Sequence, residues 1–399
     1  TTIERFSKQW ATIIKLRCKN ESIETNFIKY QKGRLQGDSL SVIIFILCVN
    51  PLSYMLNGLK GYKAGNEREL NVTHNFFVDD LKLYNSSING MKKQLDLVTT
   101  FSKNIGMSFG ESKCAYLYIE KGKIKTLGDH LNMNGLSIHE IEEESSYKYL
   151  GQDENIAYVG KINKERVLQE YFGRVKKIWK SKLSAFNKTI AHNMFAVPVI
   201  TPTYGILDWT IQELHDIDIK TRKNLNMTNN FHVNSDVDIL YIPRAQGGRG
   251  LKSIQIAYES RIITLNQHLN INMNRNSLMS YIFHAEEQKI RREANGLLEK
   301  HSITPVDNEA PKKIGQRYLK SKSIEKSSLY TNKTMHGYIY RQLGKDTNID
   351  HKVSKSWTRN RFMKSDFEAY VFAIKEEEIA TKFTKVKRAK DNMDITLDS

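Results

Sequence analysis

The stretch HNFFVDDLKLY, residues 74–84, places two adjacent aspartates between two short apolar runs. Apolar segments on both sides of a short acidic tip predict a β-hairpin, with Asp79 and Asp80 at its end. Aspartate is disfavoured in strands, and two like charges repel at close range unless a cation neutralises them. The pair is therefore either an ordinary Asp-Asp turn or a site for a hard divalent cation such as Mg²⁺, which prefers carboxylate oxygens.

The composition around this stretch is that of a basic globular protein. Lysine and arginine number 61 against 44 acidic residues in a chain of 399, which gives a net charge of +17. This surplus favours a polyanionic partner, nucleic acid first and an anionic membrane surface second. Three scattered cysteines argue against a disulfide framework and against a local zinc motif. The longest apolar run, residues 42–49, is far shorter than the roughly 20 residues of a membrane span, so we expect no membrane segment.

Hydrophobic periodicity predicts a mixture of strands and helices before residue 160 and helices after it. The predicted elements are strands at 10–18, 25–30 and 113–120, a buried helix from 39 to about 59 with Pro51 inside, an amphipathic helix at 87–105 ended by Gly106, a short strand or turn at 147–151, a basic helix at 161–182 and further helices to about 300. The segment IPRAQGGRG, 242–250, is predicted to be a loop because proline and three glycines break either periodicity. Residues 301–335 are predicted to be a polar linker, 336–385 a small helical unit and 386–399 a disordered tail.

Two further segments carry residues suited to binding phosphates or bases. In GRLQGDSLS, 33–41, the Gln36-Gly37 step lets the backbone approach a flat ligand, and the glutamine amide offers hydrogen bonds. The alternative is a plain loop-to-helix junction with Asp38 or Ser39 as the N-cap. In IGMSFGESK, 105–113, Lys113 lies at a glycine-bounded turn from which it could reach a phosphate, although such a lysine is more often merely exposed.

Four motifs in order resemble the later palm motifs of reverse transcriptases: LQGDSLS, FFVDD, GMSFGESKC and YKYLG. The set looks most like the non-LTR, LINE-type retrotransposon enzymes, and LCVNPLSYMLN and LYIPRAQGGRGL are also similar to that family. The resemblance covers about 10–385 and weakens after 300. It implies an α+β fold, with a partial palm of β-hairpins packed on helices over 1–155 and a mostly α-helical thumb over 156–300.

The resemblance also implies roles for single residues. Asp79 and Asp80 match the metal-binding aspartates of the palm, which would use Mg²⁺ or Mn²⁺. Lys113 matches a lysine that assists the departure of pyrophosphate. Gln36 and Gly37 match the step that lines the pocket for the incoming nucleotide and template.

Further roles concern the primer and the nucleic-acid backbone. Tyr149, Leu150 and Gly151 match the turn that grips the primer end. The basic helix 161–182 has an apolar stripe of Val167, Tyr171, Val175 and Ile178. It would then track the phosphate backbone with residues that lie mostly off this stripe, namely Arg174, Lys177 and Lys180. A solvated charged face is the other interpretation of this helix. The implied partners are an RNA template, a DNA primer and deoxynucleoside triphosphates, and the implied location is the nucleus or the cytoplasm.

The sequence departs from the family pattern in several places. Leu35 and Val42 stand where the family usually has proline, and no aspartate precedes Asp38, although a palm needs a further metal-binding aspartate from an earlier strand. We therefore expect the fingers and the first palm motif to be absent. No cysteine follows Cys114, so the zinc knuckle and nuclease domain of such polyproteins are also expected to be absent. The chain alone is expected not to polymerise.

Two other functions remain open at this stage. A decayed retrotransposon copy could act only as a basic nucleic-acid-binding protein, which the net charge of +17 also fits. A protein similar to group II intron maturases would share the palm, but a maturase segment after the thumb is not visible in the sequence.

Overall fold

The structure is a computed structural model that divides into two compact units. The first comprises Thr1–Tyr118 and Lys125–Ile141, and the second Ile119–Ile124 and Glu142–Ser399. The described residues are 11–18, 21–29, 39–64, 70–127, 132–133, 136–142, 145–154, 159–285, 287–306, 309–346, 348–376 and 378.

Helices dominate the second unit, and short strand pairs dominate the first. The helices are α1 Ser39–Asn57, α2 Ile88–Asn104, α3 Val159–Lys180, α4 Ala185–Ala191, α5 Val197–Ile200, α6 Ile211–Met227, α7 Asp238–Tyr241, α8 Ile254–Asn272, α9 Ser277–Ala285, α10 Arg292–Lys300, α11 Pro311–Asn332, α12 Tyr338–Lys345, α13 His351–Ser354 and α14 Ser365–Lys375. The antiparallel strand pairs are β1 Ala11–Thr12 with β4 Ile28–Lys29, β2 Lys15–Cys18 with β3 Glu21–Glu24, β5 Tyr62–Ala64 with β6 Leu70–Val72, β7 His74–Phe77 with β8 Asp80–Leu83, β10 Ile119–Glu120 with β11 Lys123–Ile124, β12 Asn132–Met133 with β13 Leu136–Ser137, and β15 Tyr147–Tyr149 with β16 Gln152–Glu154. Strand β9 Ala115–Tyr116 pairs in parallel with β14 His139–Glu140. This arrangement confirms the predicted α+β class with a helical second part.

Helices α1 and α2 form the core of the first unit together with the β7–β8 hairpin. Leu52 and Leu56 of α1 and Val98 of α2 are buried against Phe76 and Leu81 of the hairpin. The amphipathic pattern predicts α2 correctly, and the local sequence explains where the helix begins and ends. The Ser87 hydroxyl accepts a hydrogen bond from the Gly90 N–H at 3.1 Å, and Gly106 adopts a φ of 69° just after the helix.

Helix α1 is less buried than its apolar composition predicts. It is continuous through Pro51 and does not restart there. Leu47 and Tyr54 are 60% and 72% exposed, so the prediction of a helix buried all round is wrong. By length and mean hydropathy, Leu40–Asn57 would also be sufficient to cross a membrane. The apolar run at 42–49 is too short to predict this by itself. A helix in the core of a soluble domain meets the same two criteria, so this finding does not by itself indicate a membrane.

The second unit contains one large hydrophobic core that α3 helps to form. The predicted apolar stripe of this helix is confirmed, since Val167, Tyr171 and Val175 are buried and Ile178 packs against the same core. Trp179 is also buried, at 2% exposure, and was not part of the predicted stripe. Arg174, Lys177 and Lys180 are exposed and do not belong to this stripe.

Residues 301–335 do not form the predicted linker. Helix α11 occupies most of this range and packs along α8, where the Tyr318 hydroxyl donates to the Glu259 carboxylate at 2.6 Å. Gly315 lets the two helices approach closely, because a Cβ at this position would lie 2.4 Å from Thr264 Oγ1. The prediction of a linker is therefore wrong, because this polar, lysine-rich segment forms a helix with a narrow buried face.

The C-terminal helices belong to the second unit. Phe372 of α14 lies in the main core, which also packs against Tyr340 and Trp357, so the predicted small unit at 336–385 is not separate in its described part. The units divide between residues 141 and 142, upstream of the boundary predicted at 155. The predicted loop at 242–250 is confirmed, with one 3₁₀ turn at Arg244–Gln246. The predicted tail at 386–399 lies outside the described residues.

Candidate active site

The two aspartates lie at the tip of the predicted hairpin. Strands β7 and β8 pair in register from His74 opposite Leu83 to Phe77 opposite Asp80, so Val78 and Asp79 form a two-residue turn. Both aspartates are exposed, and within the described part of the chain neither forms an ion pair or a side-chain hydrogen bond. The hairpin therefore presents two adjacent carboxylates to solvent, and no side chain of the described residues pairs with either of them.

The turn between the strands has a strained backbone. Val78 has a φ of 56°, in the left-handed region that β-branched residues rarely adopt. Such strain persists where the surrounding structure fixes it, and it is concentrated at functional sites. A strained turn is expected where the position of the Asp79 and Asp80 side chains matters more than the comfort of the backbone.

This strain gives a stability prediction for two variants of Val78. Both Val78→Gly and Val78→Ala remove the two branched methyl groups, but only glycine also lacks the Cβ that makes a positive φ costly. Because a non-glycine residue in this region costs about 1–2 kcal/mol, we expect Val78→Gly to be about 1 kcal/mol more stable than Val78→Ala. Urea denaturation followed by circular dichroism measures the difference, and equal stabilities would show that the turn relaxes.

A buried glutamine holds the base of the hairpin. Gln94 of α2 is fully buried, and its amide nitrogen donates to the carbonyls of Thr73 and Tyr84, both at 3.3 Å. The N–H of Tyr84 donates to the same Thr73 carbonyl at 2.8 Å. The two ends of the hairpin are thus joined to each other and to a helix, which limits movement of the tip.

A polar chain connects the hairpin to α1 as well. The Ser53 hydroxyl lies 2.7 Å from His74 Nε2, the Thr73 hydroxyl lies 2.8 Å from His74 Nδ1, and Thr73 donates to Asn57 at 3.4 Å. A neutral imidazole protonated on Nδ1 satisfies all three contacts, since it accepts from Ser53 and donates to Thr73. Partial burial lowers the pKa of His74 below its usual value, which also favours the neutral ring.

The carboxylate pair fits a divalent cation in part. Mg²⁺ is commonly held by one or two carboxylates together with substrate phosphates, and Asp79 and Asp80 offer such a pair on one turn. Among the described residues, no group of three or more His, Cys, Asp and Glu side chains is placed to hold a metal ion. A third acidic ligand is therefore not found there.

The other residues predicted for the first unit are only partly described. Lys113 is exposed at the end of a 3₁₀ turn, Glu111–Lys113, which leads into β9 as predicted. The strand predicted over 113–120 is instead divided into β9 and β10. Gln36 and Gly37 lie outside the described residues.

The predicted primer-gripping residues form a tight hairpin in the second unit. Tyr149 ends β15, and Leu150 and Gly151 form the turn with φ values of 47° and 80°. Positive φ at both central positions characterises the type I′ turn, whose twist matches that of paired strands. The local sequence YKYLG thus yields both the strand and the turn that it predicted.

Helix α3 anchors this second hairpin through two residues that the sequence does not mark. The Asn163 side chain bonds the backbone of Asp153 twice, accepting from its N–H at 3.0 Å and donating to its carbonyl at 2.7 Å. Arg166 donates to the Gly151 carbonyl at 2.8 Å and pairs with the Asp153 carboxylate at 3.3 Å. Like Gln94 in the first unit, these residues belong to no local motif, so only their tertiary contacts could identify them.

The predicted basic face of α3 is partly committed to internal contacts. Arg174 pairs with Glu170 at 2.6 Å and donates to the Phe195 carbonyl at 2.7 Å. Lys177 and Lys180 are exposed and form no salt bridge with a described residue. These two lysines are the better candidates for contacts with an external phosphate.

Comparisons with known proteins find similarity to reverse transcriptases. Residues 2–153 match the family model described as reverse transcriptase (RNA-dependent DNA polymerase). The chain is also 24% identical, over 284 residues, to the retrovirus-related Pol polyprotein from the type-2 retrotransposable element R2DM of Drosophila melanogaster. That match covers 68% of this chain and 26% of the polyprotein, so the chain spans about a quarter of the length of the curated relative.

Proposed function

We propose that residues 2–153, which match the reverse transcriptase family model, belong to the reverse transcriptase of a non-LTR retrotransposon, and that the chain carries later palm and thumb parts of an RNA-directed DNA polymerase. Its substrates would be an RNA template, a DNA primer and deoxynucleoside triphosphates. The observation that carries the proposal is the Asp79–Asp80 turn, with two exposed carboxylates on a strained hairpin whose base is fixed by Gln94.

The aspartates are proposed to hold the divalent cations that the family generally uses, Mg²⁺ or Mn²⁺. Bound there, such ions would activate the 3′ hydroxyl of the primer and stabilise the leaving pyrophosphate. Asp79 and Asp80 supply the oxygen ligands and fix them relative to the strands. Lys113 supplies a positive charge suited to the pyrophosphate, and its exposure supports this role.

The remaining proposed contacts position the nucleic acid. Gln36 and Gly37 would line the pocket for the incoming nucleotide and the template, as their motif implies. The hairpin turn at 149–151 would hold the primer end, and its attachment to α3 through Asn163 and Arg166 gives it the rigidity that this needs. Lys177 and Lys180 would neutralise backbone phosphates, which contributes affinity and no sequence preference.

A single reaction mixture tests this proposal. A labelled DNA primer annealed to an RNA template is incubated with the chain, Mg²⁺ and deoxynucleoside triphosphates, and both retention and extension of the primer are measured. We expect retention that weakens steeply with salt, because phosphate contacts release counterions. We expect no extension, because the described residues supply only two of the carboxylates that a palm needs.

Each measurement of this mixture can contradict one part of the proposal. A chain that does not retain the template–primer would contradict the polymerase function. Clear incorporation that Asp79→Asn abolishes would support the polymerase but overturn the inactivity of this chain alone.

A nucleic-acid-binding protein without catalysis is the second candidate. The net charge of +17 and the exposed lysines of α3 favour it as much as they favour a polymerase. The two candidate functions differ in one requirement: a polymerase needs a carboxylate pair that binds metal, and a protein that only binds nucleic acid does not. Metal binding at Asp79 and Asp80 therefore separates the two functions.

A further inference from the structure

Helix α14 of the second unit presents large apolar side chains to solvent. Phe367, Tyr370 and Ile374 are 58%, 60% and 56% exposed and follow one side of the helix at spacings of three and four residues. Its other side is buried through Ala369 and Phe372. A surface helix normally exposes polar residues, so this side requires an explanation.

The segment before α14 adds a fully exposed aromatic ring and positive charge. Phe362 is 92% exposed, and Arg359, Arg361 and Lys364 around it are also exposed. The Arg361 guanidinium lies 5.7 Å from the ring centroid of Phe186 on α4, which places this arginine beside a second element.

A backbone contact joins this segment to the end of the basic helix. The Ala185 N–H donates to the Met363 carbonyl at 3.0 Å. Lys180 and Lys182 precede that contact by a few residues and are exposed, as is Leu183 at 46%. The contact places the two segments side by side, and we give the name aromatic–basic surface to these exposed residues of theirs: Lys182, Arg361, Phe362, Lys364, Phe367 and Tyr370.

We propose that the aromatic–basic surface binds single-stranded nucleic acid, with unpaired bases stacked on Phe362, Phe367 and Tyr370. This proposal rests on the proposed function and extends it to a part of the chain outside the palm. Rings exposed to this degree can stack on the flat faces of unpaired bases, and the surrounding lysines and arginines can neutralise the phosphates between them.

The charge of the surface favours nucleic acid over a protein partner. Lysine is depleted at the centre of protein interfaces, whereas nucleic-acid surfaces combine basic and aromatic residues. Asp366 is an exposed acid of α14 within the same segment, but Glu368 is buried and paired with Arg244 and Arg249, so it does not offset the basic residues at the surface. A duplex would fit less well, because its bases are already stacked on one another.

Binding of a labelled oligouridylate, measured by fluorescence anisotropy over a range of salt concentrations, tests the proposal. In Phe362→Ala/Tyr370→Ala we expect affinity to fall at least about ten-fold, with an unchanged salt slope, because two stacking platforms are lost and no charge is lost. In Arg361→Gln/Lys364→Gln we expect the slope to decrease by roughly 0.7 for each phosphate contact removed. Tyr281→Ala is the matched control, since Tyr281 of α9 is an aromatic residue 41% exposed on another helix.

The outcomes separate the surface from the polymerase function. Circular dichroism first establishes that each variant keeps its helices. If the aromatic variant binds the oligouridylate as tightly as the wild type, or if the wild type does not bind it, the proposal is overturned. If size-exclusion chromatography shows that the aromatic variant loses self-association while its oligouridylate affinity is unchanged, the surface binds a second copy of the chain and the proposal is overturned. Retention of an RNA–DNA template–primer by the wild type is measured separately. If the wild type binds the oligouridylate but does not retain the template–primer, the result contradicts the proposed function and leaves the surface proposal standing.

Discussion

Replacing Glu368 by glutamine is expected to lower the free energy of unfolding of the second unit by about 3–5 kcal/mol, the usual cost of removing one partner from a buried ion pair. The Glu368 carboxylate is 1% exposed and lies between two arginines of the 242–250 loop. Arg244 Nη1 lies 2.5 Å from one carboxylate oxygen, and Arg249 Nη2 lies 2.9 Å from the other. Without the carboxylate charge, two buried guanidinium groups would lose the anionic partner that they share.

The physical basis is visible at Arg249, whose pKa is lowered by complete burial while the Glu368 carboxylate opposes that shift. Urea denaturation followed by the helical circular dichroism signal measures the loss. Asp366→Asn is the control, because it removes an exposed carboxylate from the same helix and should change stability by less than about 0.5 kcal/mol. If Glu368→Gln unfolds at the wild-type urea concentration, the ion pairs do not hold α14 to the loop.

Features set by neighbouring residues could be predicted from the sequence. The Asp79–Asp80 hairpin, the turn at 150–151 and the capped helix α2 each depend on contacts within a few residues. The buried stripe of α3 likewise follows from a helical period that any packing partner would use. Order and spacing of such local motifs also sufficed to indicate the family.

Features set by distant residues could not be predicted in this way. The charge cluster joins the 242–250 loop to Glu368, more than a hundred positions away. The sequence of α11 predicts a linker because few of its side chains, among them Ile314, Tyr318 and Tyr330, are buried between long polar ones. The apolar sequence of α1 predicts a buried helix, but a sequence shows which residues could be buried and does not show which of them other elements cover.

Asp79 and Asp80 are proposed to bind a divalent cation, and the polymerase function depends on this binding. The double variant Asp79→Asn/Asp80→Asn is expected to weaken that binding at least about ten-fold, because two negative charges next to a doubly charged ion are lost while size and hydrogen-bonding shape are kept. The hairpin itself should persist, since Gln94 and the strand pairing hold it without these carboxylates.

Localised cleavage by bound Fe²⁺ tests this claim most directly. With ascorbate and peroxide, Fe²⁺ held in place of Mg²⁺ generates radicals that cut the nearby backbone, and mass spectrometry locates the cuts. Asp96→Asn is the matched control, because Asp96 is an exposed aspartate of α2 in the same unit. We predict cleavage within residues 74–84 that Mg²⁺ suppresses, that Asp96→Asn retains and that Asp79→Asn/Asp80→Asn loses. Cleavage of this stretch that persists in the double variant, or its absence from the wild type, would contradict the claim.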